Sequence, residues 1–231
     1  MRSLAPLARF VAALSFGFMA LGVSAAPDNP QSGVDYRTLD KPQPTESGNR
    51  VEVIEFFWYS CPHCNSLEPS LNDWVKKQGD TIAFRRVPIA FRESMMPQQK
   101  LYYTLEAMGN LETMHPKVFH TIHVQRRPLD SETAIVNWVV SQGIDKQKFL
   151  DVFNSFGVQS KVRRAQQLQQ AYQVDGVPML AVDGRYVTSP AIISSSIGNR
   201  PEPVLYAATF QVMDALVARA AKDKRAAAPA K

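Results

Sequence analysis

Apolar positions change period several times along this chain, and each change predicts a different element. Residues 51–58 read Val-Glu-Val-Ile-Glu-Phe-Phe-Trp. Such a β-branched and aromatic run predicts a strand buried on both faces. Leu67, Leu71, Trp74 and Val75 then recur at helical spacing, which predicts a helix over 62–79. Pro62 suits its first position, where the missing N–H costs nothing, and Pro69 should kink it. A second strand is predicted over 81–87. From about residue 95 the period becomes helical throughout. Segments at 97–109, 114–124, 131–142, 145–155 and 158–173 predict helices, punctuated by Gly109, Pro128, Gly143 and Gly157. Ser131 stands as an N-cap before the apolar face of Ala134, Ile135, Trp138 and Val139. Strand character returns at 179–182 and 185–187, across an Asp183-Gly184 hairpin turn. Val204, Leu205, Ala208, Met213, Leu216 and Val217 share the stripe of a last amphipathic helix. Residues 26–49, rich in Pro, Asp, Gly and Ser, read as an extended, partly loose arm with an edge strand at 34–39. Residues 223–231 read as a frayed tail.

The first 25 residues follow another pattern. Arg2 and Arg9 precede an uncharged, mostly apolar stretch over 10–23, and Val23-Ser24-Ala25 offers a small-residue cleavage site. The stretch is shorter than the roughly 20 apolar residues that span a bilayer, so it predicts a cleaved signal peptide with Ala26 as the first mature residue. Arg2 and Arg9 are not adjacent, so it is not a twin-Arg signal. No other stretch reads as able to span. The expected location is the bacterial periplasm, an oxidising compartment. Removing Arg2 and Arg9 takes the formal net charge of +5 to +3. The clusters Lys161, Arg163, Arg164 and Lys222, Lys224, Arg225 read as solvated helix faces, so no nucleic-acid partner is expected. There is no P-loop, Gly-rich fingerprint or internal repeat.

Chemistry concentrates in Cys61-Pro62-His63-Cys64, which contains both cysteines of the 231 residues. A pair this close closes a trivial loop and gains little chain entropy as a staple. After an apolar strand and before a helix it reads as a redox dithiol. A Cys2His2 metal site with His120 and His123 is a weaker alternative, because the gap from Cys64 to His120 far exceeds zinc-finger spacing. A c-type haem is excluded, because Asn65 stands where the motif needs His.

The element order is strand, helix, strand, helical block, hairpin, helix: an α/β thioredoxin-like fold with an inserted all-helical domain. With Glu55-Phe56-Phe57, the Cys61–Cys64 motif, Glu68 and Gly176-Val177-Pro178, the chain resembles the DsbA family of periplasmic thiol oxidases over nearly all of its mature length. The implied organisation is a signal peptide at 1–25, an arm at 26–49, a discontinuous thioredoxin-like domain at 50–92 and 174–222, a helical insertion at 93–173 and a tail at 223–231.

Cys61, at a helix N-terminus, is expected to be the exposed nucleophile. Unpaired N–H groups, the macrodipole and His63 would stabilise its thiolate. Cys64, one turn in, is expected to be buried and to resolve mixed disulfides. The resemblance implies a cis Val177-Pro178 bond facing the disulfide, presenting the Val177 backbone to an extended substrate. By strand parity Glu55 shares a face with Val51, Val53 and Phe57. Burial there would raise its pKa and let it take the proton that Cys64 must lose. Glu68, four residues after Cys64, lies on the same helical side, and the two resemble the acidic pair this family keeps near its disulfide. Where the family places a Lys on the next strand, this chain has Arg85 and Arg86, and the sequence leaves open which of them balances Glu55. Trp58, Tyr59, Phe91, Met95 and Met96 are candidates for core packing or for apolar surface around the sulfur. His115, His120 and His123 read as ordinary helix-surface or partly buried residues.

The activity this implies is oxidation of dithiols in reduced, unfolded exported proteins. Reoxidation would come from a quinone-linked membrane protein of the DsbB type. A monomer without cofactor or metal is expected. Two alternatives remain. One is an isomerase or reductase of the same fold, disfavoured by the short segment before Val51 and by Val before the Pro. The other is a non-catalytic chaperone with an incidental thiol pair.

Overall fold

The computed structural model describes residues 29–227. The expected signal peptide and the last four residues of the expected tail lie outside the described residues.

Strand β1 (Arg37–Thr38) comes from the arm, and β2 (Val51–Phe57) is buried at every position, as its apolar run predicts. Helix α1 (Pro62–Gln78) carries β2 over to β3 (Ile82–Pro88), its parallel neighbour. After the helical block come β4 (Met179–Val182) and β5 (Tyr186–Thr188). The sheet order is β1-β5-β4-β2-β3, and all pairs except β2–β3 are antiparallel. The register Phe56↔Met179 sets the start of β4 beside the end of β2, where α1 begins.

Between β3 and β4 lie α2 (Met96–Ala107), α3 (Leu111–His123), α4 (Glu132–Ser141), α5 (Lys146–Phe153) and α6 (Phe156–Ala171). Ser131, Asp145 and Ser155 cap α4, α5 and α6 by accepting from the backbone N–H groups of Ala134, Lys148 and Val158. Helix α2 packs against the other four. Its buried Leu101 joins Trp138, Phe149 and Phe153 in a core that reaches Ile54, Phe56 and Ala181 of the sheet.

The opposite side of the sheet, with Val51, Val53 and Leu180, packs on Leu67, Leu71 and Trp74 of α1 and on two final helices. One of these, α7 (Pro190–Ile197), escaped the sequence reading: its isoleucines and serines are weaker helix formers than Ala, Leu or Lys. Ser189 caps it by accepting from Ile192 N–H. The other, α8 (Glu202–Ala227), corrects two expectations. It is long and apolar enough to cross a bilayer by length and composition, although Leu205, Val212, Met213 and Leu216 are buried in the core. It also extends five residues into the segment expected to fray. There Lys224 lies 3.0 Å from Asp183, and cations near a helix C-terminus are favoured by the macrodipole.

The arm is less loose than expected. Tyr36 and Leu39 are buried, and the Tyr36 ring meets Tyr186 edge-on. Gln43 N–H donates to Gly184 O at 2.7 Å. Helix α1 continues unbroken through Pro69.

Candidate active site

Cys61 is the N-cap of α1, with extended backbone at φ −76° and ψ 118°, and Pro62 takes the first helical position. Its Sγ accepts from the Cys64 backbone N–H at 3.4 Å. Both cysteines are free thiols, so the structure is that of the dithiol. Cys64 is fully buried, and Cys61 is only 6% exposed. The expectation of an openly exposed nucleophile is therefore corrected: Cys61 is the more accessible of two covered sulfurs. Part of the cover is Val177, whose carbonyl oxygen lies 3.4 Å from Cys61 Sγ. The Val177-Pro178 peptide is cis.

The two thiols differ in acidity. The Cys64 thiol beside it is the largest cause that draws Cys61 down to about 6. Burial opposes this, and the backbone N–H groups of Cys64 and His63, then the His63 charge, add to it. Burial pushes Cys64 well above the usual thiol range, and the neighbouring Cys61 and Glu55 charges push the same way. His63 thus contributes, but less than the sequence suggested. Its ring is two-thirds exposed, and Nδ1 lies 2.5 Å from Glu202 Oε1 at the start of α8. Nothing in the sequence pointed to Glu202, which is remote in the chain and opens a helix like any N-terminal acid. The His63 hydrogen bond holds the Glu202 carboxyl below the usual range.

Glu55 is buried, as parity predicts, on the face of Val51 and Val53 that packs on α1. Phe57 departs from that grouping. Its ring lies in an aromatic cluster with Tyr59, Tyr102, His115 and Phe119. The open question of charge balance resolves by register: Glu55 pairs with Arg86 across β2 and β3, and Arg86 Nε donates to Glu55 Oε2 at 2.8 Å. Arg85, on the other face, donates to Glu52 at 3.3 Å. Burial nonetheless dominates at Glu55 and pushes its pKa up to about 8. Arg86 Nη2 also donates to Glu68 Oε2 at 2.7 Å, so one guanidinium bridges both carboxyls.

His115 is not an ordinary helix residue. It is buried, with Nε2 2.6 Å from Glu68 Oε1 and Nδ1 2.8 Å from the Tyr59 hydroxyl. His123 Nε2 lies 2.8 Å from Tyr59 O, while His120 is exposed. Of the apolar candidates, Tyr59 and Met95 are core residues, Trp58 and Met96 are half-buried, and Phe91 is 46% exposed.

A groove of about 560 Å³ runs beside the cis peptide. His63, Val177, Pro178, Glu202, Leu205 and Tyr206 line it, and Pro190, Ala191 and Ile192 of α7 form one wall. It offers apolar surface and backbone polar groups next to a sulfur of lowered pKa. That combination suits exchange with a thiol on an extended chain.

A family model described as a DSBA-like thioredoxin domain matches residues 86–199. The thiol:disulfide interchange protein DsbA of Burkholderia cepacia is 43% identical over 213 residues, covering 92% of this chain and 95% of that protein. The protein of the same name from Bordetella pertussis is 39% identical over 214 residues, covering 93% and 97%. The crystal structure of Pseudomonas aeruginosa DsbA superposes with a TM-score of 0.76 at 30% identity, covering 86% of this chain and 98% of that one.

Proposed function

This chain belongs to the DsbA family of thiol:disulfide interchange proteins, and from that premise we propose that it works as a periplasmic oxidase, donating a Cys61–Cys64 disulfide to reduced exported proteins. The observation that carries the direction is the split between the two sulfurs. A Cys61 thiolate with a pKa near 6 is populated at neutral pH. Each unit of depression below ambient pH stabilises the reduced protein by about 1.4 kcal/mol, or roughly 30 mV, an effect for which this family is itself the standard example. The disulfide is correspondingly oxidising.

The steps of this reading are as follows. A substrate thiolate attacks Cys61 Sγ of the disulfide. A substrate–Cys61 bond forms, the Cys61–Cys64 bond breaks, and Cys64 leaves with the electron pair. Cys64, buried and hard to ionise, takes a proton, for which the neutral Glu55 carboxyl is the donor. A second substrate thiolate then attacks its own sulfur in the mixed disulfide and expels Cys61 as a stabilised thiolate. The substrate has lost two electrons and gained a disulfide. On reoxidation, Cys64 returns its proton to Glu55 as it attacks. The backbone of Val177, before cis Pro178, pairs with the substrate main chain, which makes binding tolerant of sequence.

Reoxidation by a quinone-linked membrane protein of the DsbB type, action as a monomer and export by a cleaved signal peptide complete the reading. Trapping tests it. Cys64→Ala, with Cys61 first converted to its mixed disulfide with glutathione, should exchange with reduced protein substrates, releasing glutathione and accumulating substrate–Cys61 disulfides, and Cys61→Ser treated in the same way should form none. Equal activity of Cys61→Ser and wild type would instead make the groove that of a chaperone.

A further inference from the structure

Behind α1 the fold buries more polar groups than exchange at Cys61 requires. Arg86 faces two carboxyls. Glu55 uses one oxygen, Oε2, and its Oε1 is buried without a partner. Glu68 has both oxygens engaged: Oε2 with Arg86 and Oε1 with His115. Asn72 Oδ1 accepts from the same Arg86 nitrogen at 2.8 Å.

Hydrogen-bond chemistry then fixes the protons. Burial holds His115 below the usual imidazole range, so the ring is neutral and carries one N–H. The Tyr59 hydroxyl keeps its proton, because burial pushes it well above the usual phenol range. It therefore donates to His115 Nδ1, which must be the bare nitrogen. The N–H is at Nε2 and donates to Glu68. Burial alone would raise Glu68, but His115 and Arg86 outweigh it and keep it ionised. The chain runs in one direction, from Tyr59 through His115 to Glu68, and closes on Arg86.

Two buried carboxylates sharing one cation cannot both be cheaply charged. The one with an unpartnered oxygen bears the larger cost of ionisation. We propose that His115 is a positioning residue that decides which carboxyl carries the proton: by donating to Glu68 it makes Glu68 the anion and leaves Glu55 protonated beside the cysteine pair. Its consequence for exchange rests on the role of Glu55 proposed above. The titratable and charged groups facing His115 are Glu68 from α1, Arg86 from β3, Tyr102 from α2 and Tyr59 from the turn after β2. A second groove, of about 780 Å³ between α1 and α3, is lined by Glu68, Arg86, His115 and His120 and brings the network to solvent.

The test is to titrate the Glu55 carboxyl by 13C NMR in reduced wild type and in His115→Leu, His115→Gln and Glu68→Gln. Leu removes the donor, so Arg86 should turn to Glu55, and the Glu55 midpoint should fall by about one unit or more. Gln carries an amide N–H near the place of Nε2 and should restore the wild-type midpoint. Glu68→Gln reaches the same end without touching α3 and should lower the midpoint as Leu does. An unchanged Glu55 midpoint in Glu68→Gln, or in a folded His115→Leu, overturns the proposal, and so does a shift in Gln equal to that in Leu. The pH profile of mixed-disulfide resolution is measured on the same variants. A Glu55 midpoint that falls while this profile stays fixed supports the assignment to His115 and instead removes Glu55 from the exchange chemistry.

Discussion

Cys61 Sγ lies 3.4 Å from the carbonyl oxygen of Val177, 116 residues later in the chain. The contact comes from the backbone, so it survives a change of side chain. Val177→Ala should leave the rate of exchange with a cysteine peptide within about threefold, whereas N-methylating the peptide amide that pairs with Val177 should cost about tenfold, the worth of one backbone hydrogen bond. Stopped-flow kinetics with the two peptides checks this. Equal rates for both peptides would show that substrate does not lie along Val177.

The acidity of Cys61 rests first on Cys64 and only last on the charge of His63. Cys64→Ala should therefore raise the Cys61 pKa more than His63→Ser does, with His63→Ser shifting it up by about one unit or less. Ultraviolet thiolate absorbance against pH reads both. A larger shift in His63→Ser would restore the imidazole as the main cause.

Glu55 makes stability depend on pH. Its folded pKa, near 8, is raised above the ordinary carboxyl value. The contribution is complete below the unfolded value, about 4.3, and is lost as pH rises through 8. Glu55→Gln removes this dependence. Its loss of unfolding free energy between pH 5 and pH 8 should be smaller than that of wild type by about 3–4 kcal/mol, given some 1.4 kcal/mol per unit. Urea titrations of the reduced proteins at the two pH values decide it, and parallel losses would place the ionisation elsewhere.

Much of this was legible in the sequence, for reasons that differ by residue. β2 is a continuous β-branched and aromatic run, so its burial followed from composition. The helical block announced itself through Ser131 and repeated apolar spacing, and Glu55 through parity. Helix α7 was hidden because its run of isoleucines and serines has weak helix propensity. Glu202 and His115 were hidden because their partners, His63 and Glu68, lie 139 and 47 residues away. A histidine in an amphipathic helix has the same local pattern whether it meets water or a buried carboxylate. Val177 was expected to face the disulfide, but the burial of Cys61 was missed because it depends on how closely the Val177 carbonyl approaches the sulfur, a distance no sequence pattern encodes.

Gly184 tests how the arm is held. It has φ +68°, and a Cβ there would stand 2.1 Å from the Gln43 carbonyl oxygen. Gly184→Ala should destabilise the protein by about 2–4 kcal/mol through backbone strain and the displaced arm. It should also speed amide exchange at Gln43, whose N–H bonds Gly184 O. Wild-type protection at Gln43 would show that the arm does not depend on this approach.

The direction of electron flow is the central claim, and the equilibrium of the purified mature protein with glutathione buffers tests it most directly. The account predicts a Cys61–Cys64 potential well above that of glutathione, with the reduced protein more stable than the oxidised one. A strongly reducing potential, with the oxidised protein the more stable, would contradict it and make this chain a reductase.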